Sequence, residues 1–169
     1  MTISAREFAI FAHGDQRYGE HPYVFHLDQV VGNLSGFGPV AETVGYLHDV
    51  VEDTSITILE ISEKFGPLVA ECVALLTDEP GSNRKERKTK TYKKLAAVSG
   101  PSELALIVKA ADRLANVRAC IADGKAALWS VYRDVHPTFR AAAYRPGQCE
   151  ALWGLLDDLL KEGACGTGV

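Results

Sequence analysis

Apolar residues recur three or four positions apart along most of this 169-residue chain, and the alternating pattern of a half-buried strand is nearly absent. The clearest example begins near Ser102, where one face of a long predicted helix is apolar. Its apolar positions are Leu104, Ile107, Val108, Ala111, Leu114 and Val117. Glycines and prolines separate segments of helical rather than strand length. The sequence therefore predicts an all-α protein.

The composition fits one globular domain. With 47% hydrophobic and 24% charged residues, the chain can bury a core without cross-links. We expect a single domain over residues 1–162 and a flexible tail over residues 163–169. The cysteines lie far apart, at Cys72, Cys120, Cys149 and Cys165. They form neither a CxxC pair nor a zinc-ribbon spacing, so we interpret them as ordinary thiols.

Charge and hydropathy limit the class of partner. A net charge of −4 gives the surface as a whole no long-range attraction for nucleic acid. The sequence has no pattern of a signal peptide, and no apolar run approaches the roughly 20 residues that span a bilayer. We therefore expect a cytoplasmic protein that binds neither nucleic acid nor membrane.

The stretch YLHDVVEDTS, residues 46–55, concentrates one imidazole and three carboxylates after an apolar run. Residues 40–47 have a helical pattern, so Asp49, Glu52 and Asp53 at i, i+3 and i+4 would share one helix face. Carboxylates near a helix C-terminus cost about 0.3–1 kcal/mol each. The alternative is a set of solvent-facing acids, but the crowding favours a bound cation.

Candidate ligands for such a cation can be named. Adjacent His48 and Asp49 can flank an ion lying against a helix, because successive helical residues differ by about 100°. Two further ligands are expected from elsewhere, and His26 and Asp112 are plausible, since Asp112 interrupts an alanine-rich apolar face. Two imidazoles and two carboxylates without thiolates suit a hard or borderline divalent ion rather than structural zinc.

This arrangement of His, His-Asp and Asp resembles the HD superfamily of metal-dependent phosphohydrolases. Residues 48–53, HDVVED, resemble the HDxxED motif of its RelA/SpoT hydrolase group, which includes small stand-alone (p)ppGpp hydrolases such as the metazoan SpoT homologues. Residues 22–26, PYVFH, resemble the PYxxH segment of that group, and residues 108–116, VKAADRLAN, resemble its KxADKLxN segment. The resemblance covers about three quarters of the chain.

The resemblance implies a compact HD-domain helical bundle with a divalent metal, Mn²⁺ by preference. The implied metal ligands are His26, His48, Asp49 and Asp112. Glu52 and Asp53 would be the catalytic residues that handle the attacking water and its protons. Candidate substrate-binding residues are Arg17, Lys109 and Asn116. Arg17 is the one Arg or Lys between Asp15 and Pro22, where the family usually has a basic pair or triplet.

The implied function is manganese-dependent hydrolysis of the 3′-pyrophosphate of guanosine tetra- or pentaphosphate, giving GDP or GTP and pyrophosphate. The loop at residues 17–22 is shorter than in the family, so an alternative substrate is another phosphorylated nucleotide, such as a 2′- or 3′-phosphonucleotide or NADPH. A third hypothesis is a non-catalytic nucleotide-binding module. In each case, the expected partner is a small-molecule nucleotide.

The strongest charge run lies at residues 84–94, where seven basic residues face one acid, Glu86. Such a run is often a solvated helix face. The functional alternative is a positive rim that attracts a polyphosphate towards the metal, and the sequence favours the two interpretations equally.

Overall fold

The computed structural model describes residues 3–161, and the regular secondary structure in this range is helical apart from one small hairpin. In chain order, the elements are α1 (Ala5–His13), β1 (Arg17–Tyr18), β2 (His21–Pro22), α2 (Val24–Asn33), α3 (Pro39–Leu47), α4 (Val50–Asp53), α5 (Ile58–Phe65), α6 (Pro67–Leu76), α7 (Arg84–Ala96), a 3₁₀ turn (Gly100–Glu103), α8 (Leu104–Ala122), α9 (Ala126–Ala143) and α10 (Glu150–Leu159). The all-α prediction is confirmed. The predicted tail at residues 163–169, which includes Cys165, lies outside the described residues. None of the helices among residues 3–161 combines the length and the hydropathy that a membrane span requires.

Two capping boxes fix where α1 and α5 begin. At α1, Ser4 Oγ accepts a hydrogen bond from the Glu7 amide, and the Glu7 carboxylate accepts one from the Ser4 amide. Thr57 and Glu60 make the same reciprocal pair at α5. Each box satisfies amide groups that have no partner within the helix, which stabilises these starting points.

Helix α8 lies at the centre of the bundle and packs against α2, α3, α6, α9 and α10. Its burial extends well beyond the single apolar face that the sequence predicts, because helices surround it on several sides. Lys109, Asp112 and Arg113 are all buried. Buried charges are stable only with partners, so the chain must provide compensation around this helix.

The prediction of one continuous helix through the acidic stretch is wrong. Helix α3 ends at Leu47, and His48 and Asp49 form a turn before the single turn of α4. The cause is local: His48 Nδ1 lies 2.7 Å from the carbonyl oxygen of Gly45, the acceptor that the Asp49 amide would use in a continuous helix.

The predicted loop between α1 and α2 contains a short hairpin. Strands β1 and β2 are antiparallel, with Arg17 opposite Pro22 and Tyr18 opposite His21. Gly19 in the turn has a φ of +58°, which a glycine adopts without steric cost. The hairpin directs the Tyr18 ring against His26 of α2, with ring centroids 4.6 Å apart.

Candidate functional site

The four predicted metal ligands lie together, although they come from three parts of the chain. Helix α2 carries His26, the turn after α3 carries His48 and Asp49, and α8 carries Asp112. His48 Nε2 lies 3.0 Å from Asp49 Oδ2 and 3.6 Å from Asp112 Oδ1. His26 Nε2 lies 3.3 Å from Asp112 Oδ1 and 3.9 Å from Asp49 Oδ2. The two imidazole nitrogens thus lie close enough to the two carboxylates for all four groups to bind one metal ion.

The imidazole of His48 is oriented for metal binding. Its Nδ1 donates a hydrogen bond to the Gly45 carbonyl, which directs Nε2 towards the carboxylates. This Nε2 is buried and has no hydrogen-bond partner among residues 3–161. Ligand atoms of His26, His48 and Asp49 all lie within 4.8 Å of one another. The nearest atoms to Nε2 are carboxylate oxygens of Asp49 and Asp112, and a divalent cation between them would bind both the nitrogen and the oxygens.

The two carboxylates are held in their ionised form. Burial acts to raise the pKa of the Asp112 carboxyl, but Lys109 and the two imidazoles outweigh burial and hold that pKa well below its usual range. Burial likewise opposes ionisation of Asp49, whereas the neighbouring His48 keeps the pKa of Asp49 low. The ionised carboxylates are in the state that ligates a metal. Burial opposes the charged form of His48, but these carboxylates raise the pKa of its ring, so a bound cation would take the place of that proton.

A layer of hydrogen bonds orients the carboxylates. The Tyr23 hydroxyl donates to Asp49 Oδ2 at 2.5 Å, and Asn116 Nδ2 donates to Asp112 Oδ1 at 2.6 Å. The Tyr18 hydroxyl in turn donates to Asn116 Oδ1 at 2.8 Å. Sequence reasoning missed both tyrosines. Tyr23 had a detectable signal, because it precedes His26 by three residues and caps the start of α2 beside it, whereas Tyr18 had none.

The two predicted catalytic acids, Glu52 and Asp53, have different hydrogen-bond partners. Glu52 Oε2 accepts a hydrogen bond from the Asp78 amide at 2.9 Å, and Glu52 lines the cavity above the ligands. Asp53 Oδ2 accepts one from Gln16 Nε2 at 2.8 Å and is not among the described residues that line this cavity. Asp49 and α4 keep helical backbone, since the Asp53 amide donates to the Asp49 carbonyl at 2.9 Å, yet Glu52 and Asp53 contact different partners. Their catalytic roles stay predictions.

The predicted substrate-binding residues occupy different places. Lys109 Nζ lies 3.3 Å from Asp112 Oδ2, and both Lys109 and Asn116 line the cavity. The Arg17 guanidinium instead donates to the Glu20 carbonyl within its own hairpin. Arg17 is exposed and does not belong to the described lining of the cavity. Its substrate contact stays a prediction.

Further cations that the sequence did not single out as ligand contacts surround the cavity, which has a volume of about 170 Å³. Arg84 and Lys88 come from the basic helix α7, and Arg113 comes from α8. Lys88 pairs with Asp78 at 2.7 Å, so part of the basic run is fixed at the site rather than free in solvent. The sequence left open whether the basic run is a solvated helix face or a positive rim. The positions of Arg84 and Lys88 at the cavity favour the positive rim for these two residues.

Replacing Tyr18 with phenylalanine is expected to weaken metal binding by about tenfold. The ring would still stack on His26, but Asn116 Oδ1 would lose its donor, and the amide would no longer be fixed with Nδ2 towards Asp112. Titration of the metal-stripped protein with Mn²⁺ measures the change in affinity.

The matched control is Tyr46→Phe. Its hydroxyl donates to Asp28 at 3.1 Å, outside the cavity, so its removal is expected to leave Mn²⁺ affinity unchanged. Equal affinity in Tyr18→Phe and the wild type would show that Tyr18 does not position Asn116.

Comparison with known proteins finds relatives that align with most of this chain. The HD domain family matches residues 5–149. The guanosine-3′,5′-bis(diphosphate) 3′-pyrophosphohydrolase MESH1 of Mus musculus is 33% identical over 172 residues, covering 96% of this chain and 92% of the relative. The guanosine-3′,5′-bis(diphosphate) 3′-pyrophosphohydrolase of Aquifex aeolicus is 30% identical over 158 residues, covering 92% of this chain but 22% of the relative. The chain spans about a fifth of the length of the first two curated relatives that it matches.

A solved structure shows the same fold. It is described as a metazoan ortholog of SpoT that hydrolyzes ppGpp and plays a role in starvation responses. It aligns with a TM-score of 0.73 and 26% identity, covering 95% of this chain and 94% of the other. The sequence-based prediction is thus confirmed: this chain belongs to the HD domain family.

Proposed function

We propose that this protein hydrolyses the 3′-pyrophosphate of guanosine tetra- or pentaphosphate and releases GDP or GTP and pyrophosphate. The observation that carries the proposal is the convergence of His26, His48, Asp49 and Asp112 beside Glu52 in one polar cavity. The Mus musculus relative named for this activity aligns over nearly its whole length, which supports the same substrate.

The HD domain implies a divalent metal, and the residues present fit one. The proposed ligands are His26, His48, Asp49 and Asp112, and a set of nitrogen and oxygen donors without thiolates supports Mn²⁺. Such an ion polarises a phosphoryl oxygen and makes water acidic enough to react near neutral pH.

The residues of the chain account for the remaining requirements of the reaction. The water oxygen forms a bond to the phosphorus that carries O3′ of the ribose, the bond from that phosphorus to O3′ breaks, and a proton is transferred to O3′. Glu52 is the proposed base that accepts the proton of the water. Desolvation raises the pKa of Glu52, although the hydrogen bond from the Asp78 amide opposes the shift, so its carboxylate is more basic than an exposed glutamate.

Asp53 is proposed to assist proton transfer from the second layer, where Gln16 orients it. Lys109, Arg113 and Asn116 lie in the same cavity and are proposed to bind the phosphates and ribose. Positive charge at this position stabilises the charge that develops on the phosphoryl oxygens during displacement.

The test is turnover of ppGpp by metal-stripped protein supplemented with Mn²⁺, with all products resolved. The expected products are GDP and pyrophosphate in equal amounts. Release of orthophosphate from ppGpp, or no turnover by metal-loaded protein, would contradict the proposal.

A second candidate function is hydrolysis of another phosphorylated nucleotide, such as a 2′- or 3′-phosphonucleotide or NADPH. The observation that favours it is the position of Arg17, whose guanidinium contacts the Glu20 carbonyl rather than the cavity. A panel of these nucleotides assayed beside ppGpp separates the two candidates. The higher kcat/KM identifies the substrate class.

A further inference from the structure

A groove between α7 and α9 adjoins the metal cavity. Its volume is about 720 Å³, and Arg84 and Lys88 line both the groove and the cavity. The floor of the groove is largely apolar and includes Val135 and Ala142. A ligand bound at the metal can therefore extend past Arg84 and Lys88 into a second compartment.

Three of the four cations that line this groove lack a counter-charge among the described residues. Arg84, Lys85 and Lys93 line it, and within residues 3–161 none of the three forms an ion pair. Other lysines of α7 are neutralised: Lys88 pairs with Asp78, Lys90 with Glu86 and Lys94 with Glu79. The one acid in the described lining of the groove is Asp134, and it contacts Arg133 at 2.9 Å. The excess of unpaired cations indicates an anionic ligand.

A different cavity adjoins the metal cavity on its other side, where Tyr18 lines both spaces. It has a volume of about 500 Å³ and the opposite charge balance, since Glu20 and Asp123 oppose Lys125 in its described lining. An additional phosphate group is therefore attracted to the α7–α9 groove and repelled from the cavity beside Tyr18.

We propose that the α7–α9 groove binds the 5′-diphosphate of the substrate while the 3′-diphosphate lies at the metal centre. This inference rests on the proposed function, since it concerns a nucleotide with phosphates on both ribose positions. The ribose joins the two groups, and Arg84 and Lys88 stand at the boundary between their binding sites. Lys85 and Lys93 contact the 5′ arm and not the reacting phosphorus.

The test compares two substrates with one reaction centre: ppGpp, and guanosine that carries the 3′-diphosphate with a free 5′-hydroxyl. For the variant Lys85→Gln/Lys93→Gln, we expect the KM for ppGpp to rise about threefold to tenfold, with kcat unchanged. The KM for the 5′-hydroxyl substrate is expected to stay at the wild-type value. The KM for ppGpp in the wild type should also rise more steeply with salt than the KM for the 5′-hydroxyl substrate.

The matched control is Lys90→Gln, which removes one charge from the same helix outside the groove. It is expected to leave both KM values unchanged. An unchanged KM for ppGpp in the double variant, or an equal rise for both substrates, would refute the 5′-diphosphate site while leaving the proposed function intact. Absence of turnover of both substrates by the wild type would instead refute the proposed function.

Discussion

Replacing Asp49 with asparagine is expected to reduce metal-dependent turnover about 10³-fold. The amide keeps the size of the side chain and can still accept the hydrogen bond from Tyr23, but it loses the charge that faces the cation. At an effective dielectric constant near 20, a unit charge about 4 Å away contributes about 4 kcal/mol, which equals a factor of about 10³. The measurement is kcat/KM for ppGpp at saturating Mn²⁺.

Metal binding gives an independent readout for Asp49→Asn. A ligand that binds only the folded protein raises its unfolding temperature, and the rise depends on affinity. We expect Mn²⁺ to stabilise the wild type and to have little effect on the variant. This comparison separates loss of the ion from loss of the fold.

The control for Asp49→Asn is Asp157→Asn. Asp157 also faces an imidazole, with its Oδ1 2.7 Å from His136 Nε2, but this pair joins α9 to α10 away from the cavity. Turnover and stabilisation by Mn²⁺ are expected to match the wild type. If Asp49→Asn behaved like this control, Asp49 would not be a metal ligand.

The sequence predicted those features of the site that depend on residue type and motif spacing. His48 and Asp49 are adjacent, and burial of Asp112 on a helix rich in alanine and leucine required a partner, so the ligands could be proposed before their geometry was known. The helix starts after Ser4 and Thr57 can also be recognised from sequence, because a capping box, Ser or Thr followed three residues later by Glu, is a local pattern.

Features that depend on tertiary packing could not be predicted. A two-residue strand has no measurable period, so nothing in the sequence placed Tyr18 against His26 and Asn116. Helix α9 has Pro137 in its interior, which breaks the usual helical signal. Periodicity shows one apolar face of a helix, whereas the burial of Arg113 follows from aromatic rings such as that of Phe139, 4.1 Å from its guanidinium carbon.

The acidic stretch shows how one local contact changes a prediction. An ideal helix would place Glu52 and Asp53 with Asp49 near one face, and the sequence alone gave no reason to separate them. The bond from the His48 ring to the Gly45 carbonyl ends the helix at that point. The backbone is helical again from Asp49 to Asp53, and within that turn Glu52 contacts the Asp78 amide while Asp53 contacts Gln16. Of the two acids, Glu52 alone belongs to the described lining of the cavity, which depends on the packing around this turn and not on the spacing of the residues.

The double substitution Glu52→Gln/Asp53→Asn is expected to lower kcat about 10²- to 10⁴-fold, the usual range for loss of general acid–base catalysis. Metal affinity and thermal stability are expected to stay near the wild-type values. Both amides keep an oxygen that can accept the existing hydrogen bonds from Asp78 and Gln16. Single-turnover rates with bound Mn²⁺ measure the chemical step directly.

The single variants separate the two roles. Glu52→Gln is expected to account for most of the loss, because Glu52 lines the cavity and Asp53 contacts Gln16 in the outer layer. Glu63→Gln, an exposed acid on α5, is the control for loss of one negative charge and is expected to keep full activity.

The pH dependence gives a further test of Glu52. A base must be ionised to accept a proton, so its contribution falls as pH falls through its pKa. Because desolvation raises the pKa of Glu52, this fall is expected at higher pH than for an exposed glutamate, and Asp53→Asn should retain it. Glu52→Gln removes the titrating group, so the residual rate should lose this dependence. A double variant that kept wild-type turnover with bound metal would show that neither acid transfers the proton, and the base would then have to be sought among the other residues of the cavity.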